Sequence, residues 1–280
     1  MIETNNFSEL KERILASARI AQACREQYKR AYSSETAEEL MEVIKDNFHW
    51  CVANKVLTIP LIDEYRELFT EHGIHCNESV DSGYLLAGNA TVEASGNATV
   101  KASGNATVEA SGNATVEASG NATVKASGNA TVEASGNATV RASDNATVEA
   151  WGNATVKASG NATVEASGNA TVKAWGNATV RASDNATVEA SGNATVEAWG
   201  NATVEAWGNA TVEASGNATV KASDNATVEA SDNATVKASD NAYVTSYNTI
   251  ECQLSDKAIY RIREANTIRF ASDTLKFERV

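Results

Sequence analysis

The sequence predicts a mainly β protein: a β-solenoid of octapeptide repeats behind a small N-terminal α-helical bundle. Three observations carry that expectation. From Gly88 to Tyr247 the chain repeats in steps of eight, twenty octads in 160 residues. Within each octad apolar and polar residues alternate with period two, the pattern of a half-buried strand. Residues 6–76 instead place apolar residues at helical spacing. A single proline, and a 42% hydrophobic content dominated by alanine and valine, exclude a conventional Leu/Ile/Phe core for most of the chain.

The head comes first. Leu10, Ile14, Ala18, Ala21, Cys24 and Tyr28 recur as one face of a first helix. Ser34 precedes ETAEELMEVIKDNFHWCVANK, a capped acidic start to a second helix whose inner face holds Leu40, Val43, Ile44, Phe48 and Cys51. Pro60 opens a third helix with Leu61, Tyr65, Leu68 and Phe69, and Gly73 ends it. Three helices over 1–79 make a bundle that caps the first coil or binds a partner.

Octad positions are counted from the glycine. Position one is Gly or Asp (Asp144, Asp184, Asp224, Asp232, Asp240) and position two is always Asn. In all but the last octad, positions three, five and seven are Ala, Val, Ala, while four, six and eight are Thr, a charged residue and usually Ser. A Gly-Asn hairpin meander is the competing architecture. Across Gly96-Asn97 it would pair Ser95 with Ala98 and Glu93 with Val100, so each face would mix apolar and charged rows. A solenoid keeps Ala-Val-Ala inward in every octad, and its invariant Asn forms a ladder at the corner. Residues 80–87, 248–255, 256–263 and 264–271 fit as worn octads. Their inner positions become Ile250, Cys252 and Leu254, then Tyr260 and Ile262, then Ile268 and Phe270. The solenoid therefore spans 80–271, regular over 88–247, and 272–280 is a C-terminal cap.

Two coil sizes compete. Sixteen residues give a flat two-sheet rod, favoured by packing because small Ala and Val allow close approach. Twenty-four give a triangular prism with an axial gap. Two patterns favour twenty-four. Trp151, Trp175, Trp199 and Tyr247 are separated by multiples of 24, with Trp207 the exception. Charges at position six also alternate, 13 of 18 consecutive pairs from Glu93 to Lys237 being opposite in sign. Opposite cross-strand neighbours stabilise a sheet, and consecutive octads become neighbours if three chains intertwine. At ~4.8 Å per layer the rod is roughly 60 Å long with two-octad coils and about 115 Å as the trimer.

The Val-x-Ala of each octad, for example Val92 and Ala94, loosely resembles the Val-x-Gly octads of trimeric β-helical spikes in contractile phage tails and type VI secretion. The spike glycine is missing here. Over the whole chain, the GNATV(E/K/R)A octads and the ending IRFASDTLKFE (268–278) resemble octapeptide-repeat proteins of gut Bacteroides-type bacteria and their prophages. That resemblance implies a helical head, an octad array and a C-terminal cap, and implies no activity.

The formal net charge is −13, split as −6 over 1–87, −8 over 88–247 and +1 over 248–280. No segment is a basic stripe, so direct nucleic-acid binding is not expected. No run reaches the ~18 apolar residues of a membrane span. The acidic N-terminus is unlike a signal peptide, so a cytoplasmic protein, or one assembled into a phage-like particle, is expected. Cys24, Cys51, Cys76 and Cys252 lack C-x-x-C spacing and read as free thiols. The run HGIHC (72–76), with His49 and Cys51 nearby in sequence, lacks the paired spacing of a zinc site. No catalytic, cofactor or metal site is expected. The 19 Asn-Ala-Thr sequons read as the corner ladder. The threonine column invokes an ice-binding face, yet shares its face with the charged column.

The candidate contact surface is a row of outward aromatics, Trp151, Trp175, Trp199 and Trp207, beside the acidic residues Glu197 and Glu205. The expected function is a non-enzymatic structural or interaction rod, monomeric or homotrimeric, with an unidentified protein partner. An acidic DNA-mimicking inhibitor, a trimeric spike or fibre component, and an ice-binding protein are the alternatives.

Overall fold

The structure, a computed structural model, describes residues 2–271. The segment 272–280, expected as the C-terminal cap, lies outside the described residues. The chain is mainly β, a parallel solenoid with a helical head.

Each of the three expected helices is broken once. They become α1 (Ile2–Ile20) and α2 (Arg25–Ser33), α3 (Ala37–Asp46) and α4 (Phe48–Ala53), and α5 (Ile59–Glu64) and α6 (Arg66–Glu71). Gln22 adopts φ 56°, and the Ala23 and Gln22 N–H groups reach back to the Ala18 and Arg19 carbonyls. This Schellman closure ends α1 and leaves Cys24 exposed, where continuous helical spacing had placed it inside. Asn47 ends α3 with its side-chain amide on the Val43 carbonyl (2.8 Å). The cap of α3 is Thr36 rather than Ser34: Thr36 Oγ1 accepts from the Glu39 N–H, and the Glu39 carboxylate accepts from the Glu35 N–H. Ser34 is buried and donates to the Ala31 carbonyl instead. Thr58 caps α5, Pro60 sits in its first turn, and Gly73 at φ 70° follows α6.

The strands begin with β1 (Ile74–Cys76), β2 (Tyr84–Ala87) and β3 (Thr91–Ala94). One four-residue strand per octad follows, through β22 (Tyr243–Ser246), and then β23 (Glu251–Leu254), β24 (Ile259–Ile262) and β25 (Thr267–Phe270). They form two sheets. The longer has 14 strands: β1, β2, the even-numbered strands to β24, and β25. The shorter has the 11 odd-numbered strands from β3 to β23.

From β3 on, each parallel octad strand pairs with those sixteen residues away, for example Thr147 with Thr163 and Val148 with Val164. A coil is therefore two octads, and the 24-residue coil with three intertwined chains is not adopted. Packing decided it. Ala162, Val164 and Ala166 in the longer sheet, like Ala154, Val156 and Ala158 in the shorter, are almost fully buried. Side chains this small fill the space between two sheets and would leave a triangle hollow. The parallel strands from β2 to β24 span roughly 50 Å at ~4.8 Å per coil. The octad expected at 80–87 is one residue out of register: β2 pairs fifteen residues away, Tyr84 with Thr99, so Leu85 and Ala87 enter the rod core and Leu86 does not.

The corner is local chemistry. In Ser111-Gly112-Asn113-Ala114 the Ala114 N–H returns to the Ser111 carbonyl (3.3 Å), and only Gly112 of the two central residues has positive φ (66°). This is a four-residue turn whose second residue takes a left-handed φ. Here the departing strand lies face to face with the arriving one, so parity keeps Ala-Val-Ala inside. The asparagine ladder forms as expected: Asn113 Nδ2 donates to Asn97 Oδ1 (3.3 Å), and its backbone N–H donates to the Gly96 carbonyl (2.8 Å).

The two ends depart from the regular coils. β1 extends the longer sheet in parallel beyond β2, and Val80 bridges to Ala94 over the shorter one. At the far end the buried Tyr260 of β24 bonds through its hydroxyl to Ser246 Oγ (2.7 Å) and accepts from the Ile250 N–H (2.9 Å). The octad 264–271 does not make another coil. β25 turns back antiparallel on β24, and Ile268 and Phe270, expected inside, are 48% and 42% exposed. Residues Arg263–Asn266 form a tight turn there, which reverses the strand at the edge of its own sheet. Cys252 and Leu254 are half-buried on the core.

Candidate functional site

With sixteen residues per coil, successive octads point their position-six side chains out of opposite faces. The alternation in the sequence therefore becomes segregation in space. On the longer sheet the column runs Lys101, Glu117, Glu133, Glu149, Glu165, Arg181, Glu197, Glu213, Glu229. On the shorter it runs Glu93, Glu109, Lys125, Arg141, Lys157, Lys173, Glu189, Glu205, Lys221, Lys237. One face is acidic and the other carries an unbroken run of four cations at ~4.8 Å spacing. No basic segment exists in the sequence; folding assembles this one from every second octad.

Where the sign changes along a column, ion pairs form. Lys125 meets Glu109 (2.6 Å), Lys173 meets Glu189 (2.8 Å), and Arg181 bridges Glu165 and Glu197. In mid-rod the columns are like-charged. Among the described residues Glu133 and Glu149 on one face, and Arg141 and Lys157 on the other, have no ion-pair partner. Like charges at neighbouring cross-strand positions destabilise a sheet, so these runs cost folding energy.

The four octad tryptophans do not make one row. Trp151, Trp199 and Tyr247 follow longer-sheet strands and lie along one edge, while Trp175 and Trp207 lie along the other. All four tryptophans are 37–44% exposed. Glu197 sits beside Trp199 on the longer sheet, and Glu205 beside Trp207 on the shorter, so the two acid–aromatic pairs face away from each other. Trp151 and Trp199 are three coils apart and end a shallow trough over Glu149, Glu165 and Arg181. Trp175 closes a larger trough, about 610 Å³, that follows the shorter sheet past Lys125, Arg141 and Lys157.

The head clamps one face as well as the end. Leu86 points outward from β2 into the head core, and the Phe48 ring lies 5.0 Å from that of Tyr84. Two coils further along, Glu117 accepts from Lys101 Nζ (2.6 Å) and pairs with His49 Nδ1 (2.6 Å). Burial alone would raise the Glu117 carboxyl, but the hydrogen bonds from Lys101 and His49 outweigh it and hold the pKa below the usual glutamate range. Lys101 is buried by this contact. Sequence reading missed it because a residue on the outer face of an octad carries no sign that another domain covers it.

Elsewhere in the head Arg66 pairs with Asp63 and with Glu78 (3.1 Å), and the Cys76 thiol donates to Asp63 Oδ1 (3.4 Å). His72 bonds the Leu68 carbonyl and His75 the Glu78 carboxylate, so HGIHC does not converge with His49. Among the described residues no three metal-ligating side chains cluster. Burial pushes the Cys51, Cys76 and Cys252 thiols up to about 11, which keeps them protonated at neutral pH. A cleft in the head between Ile14, Tyr28, Val43 and Cys51 is about 140 Å³, below the ~300 Å³ of a small ligand pocket. No helix among the described residues is long and apolar enough to cross a membrane. No protein-family model, curated protein or solved structure matches the chain.

Proposed function

We propose that the chain is a non-enzymatic structural and interaction rod whose output is two charged faces held at a fixed spacing. The observation that carries this is the sorting of position-six charges onto opposite sheets of a stiff Ala/Val core. That core presents one side chain every ~4.8 Å along each column. The hollows of the rod are open troughs rather than enclosures that would exclude water from a reaction. The edge tryptophans border the charged faces and supply apolar contact area beside them.

The DNA-mimic reading gains an acidic face but lacks density. Duplex DNA carries one charge per ~1.7 Å of axis, about three times the density of the longer-sheet column at one per ~4.8 Å. The threonine columns adjoin charges on both faces, which gives an ice lattice no flat neutral plane.

Small-angle scattering tests the rod. Removing sixteen residues should shorten the particle by ~4.8 Å at constant cross-section. A compact particle, or a turnover that survives removal of the octads, would overturn the reading.

A further inference from the structure

We infer that the two faces are made for each other on separate copies: the acidic longer-sheet face of one chain docks on the basic shorter-sheet face of a second. This rests on the rod reading above. The observation is a match that no contact within the chain explains. Each longer-sheet residue of the column is opposite in sign to the residue eight positions later in eight of nine cases, from Lys101/Glu109 to Glu229/Lys237. The exception is Glu197/Glu205. The other set of consecutive pairs, each shorter-sheet residue with the next longer-sheet one, is opposite in five of nine, about what 11 acids and 8 bases give at random. Residues eight apart leave opposite faces of the same rod, so they cannot touch.

A second copy can bring them together. The head shields Lys101 and Glu117, so the free acidic face begins at Glu133. From Glu133 to Glu229, laying the shorter sheet of a parallel copy alongside gives six opposite pairs of seven. Reversing the second copy, so that Glu133 meets Lys237 and Glu229 meets Arg141, also gives six of seven. The sequence thus encodes which face meets which. The residues without partners in the single chain, Glu133 and Glu149 on one side and Arg141 and Lys157 on the other, each gain an opposite charge in both arrangements. That relieves the like-charge runs, and charge complementarity of this kind suppresses wrong pairings. The contact is heterologous. It leaves one acidic and one basic face free at the ends, so it propagates into lateral stacks rather than closing as a dimer.

Sedimentation of the full-length chain at 50 and 500 mM salt tests this. Weight-average mass should rise with protein concentration at low salt and return to the monomer at high salt. Deleting 152–167, one whole coil, keeps every octad on its face and should preserve association. Deleting 152–159 moves all later octads to the opposite face, mixes the signs on both, and should weaken association by about tenfold or more. The Glu133→Lys/Glu149→Lys variant should be monomeric alone yet shorten wild-type stacks, because its basic face still docks. A chain that stays monomeric at millimolar concentration and 50 mM salt would overturn the inference. So would equal association of the two deletions, or capture of a polyanion on Lys125–Lys173 without self-association. Scattering on the same samples separates the causes: a monomeric rod refutes only the stacking, while a particle that is not a rod refutes the reading beneath it.

Discussion

Position one of the octad offers a sharp test of how the corner works. Gly136 has φ 65°, and a Cβ there would lie 3.3 Å from the Gly120 N and O atoms one coil below. A left-handed L-residue costs ~1–2 kcal/mol, and the tight approach adds to that. Alanine at 136 should therefore destabilise the rod by roughly 1–2 kcal/mol. Aspartate carries the same Cβ, yet the sequence uses it at Asp144, Asp184, Asp224, Asp232 and Asp240, all with φ of 54–58°. The structure shows why. Asp144 Oδ2 accepts from the Gly128 N–H (3.2 Å), and Asp184, Asp224 and Asp232 do the same to Gly168, Gly208 and Gly216. A hydrogen bond to a charged group contributes ~1.5–3 kcal/mol, less here because the site is exposed, so it offsets most of the cost. Gly136→Asp should lie within ~0.5 kcal/mol of wild type, while Gly136→Ala is clearly weaker. Urea denaturation gives the ranking. Amide exchange at Gly120 gives the mechanism, slowing in the Asp variant alone. Equal stability of the two variants, or unchanged exchange at Gly120, would mean that the carboxylate does not bond the coil below.

Three further outcomes follow from the same geometry. Val164→Ala removes two fully buried methyl groups at ~0.8 kcal/mol each and leaves a cavity that the stacked coils cannot collapse, so it should cost about 2–3 kcal/mol. Hydrogen exchange should place the loss in the coils around β-strand Thr163–Ala166. The depressed Glu117 carboxyl contributes stability to the head–rod contact that is present above the ordinary glutamate value of ~4.3 and is lost as the pH falls through its lower folded value. Limited proteolysis at acid pH should release the head first, and Glu117→Gln should loosen it already at neutral pH. Among the four thiols, a disulfide reagent at neutral pH should modify exposed Cys24 quickly and Cys51 only on unfolding.

Much of the fold was legible because the octad is a strong local code. Its even period fixes which side chains face inward whatever the coil size, and Gly or Asp at position one marks the left-handed corner. Coil size was not decided by the same signals. The 24-residue spacing of Trp151, Trp175 and Trp199 and the alternating charges at position six invited a triangle. Sheet-to-sheet packing of Ala and Val overruled both, and the alternation instead records which face each charge leaves from. The helix breaks at Asn47 and Tyr65 were hidden because neither residue is a strong breaker; Asn47 leaves the helix at φ −122° with its amide on the Val43 carbonyl, and Tyr65 leaves at φ −111°. At the far end apolar Ile268 and Phe270 imitate an inner face, but the turn before β25 reverses the chain and exposes them. The candidate aromatics were correctly read as outward, while their division between two edges depended on the coil. The Lys101–Glu117–His49 contact needed the head's position, which no octad records.

The two faces, the charge sorting and the stacking all depend on the sixteen-residue coil. Paired cysteines test it most directly. With the native cysteines replaced by alanine, Thr147→Cys/Thr163→Cys places two thiols on directly paired neighbouring strands, and Thr147→Cys/Thr171→Cys places them on opposite faces. A short thiol cross-linker mapped by peptide mass should join 147 to 163 within one chain and leave 147 and 171 apart. Efficient linkage of 147 to 171, with none between 147 and 163, would mean that the coil is not sixteen residues.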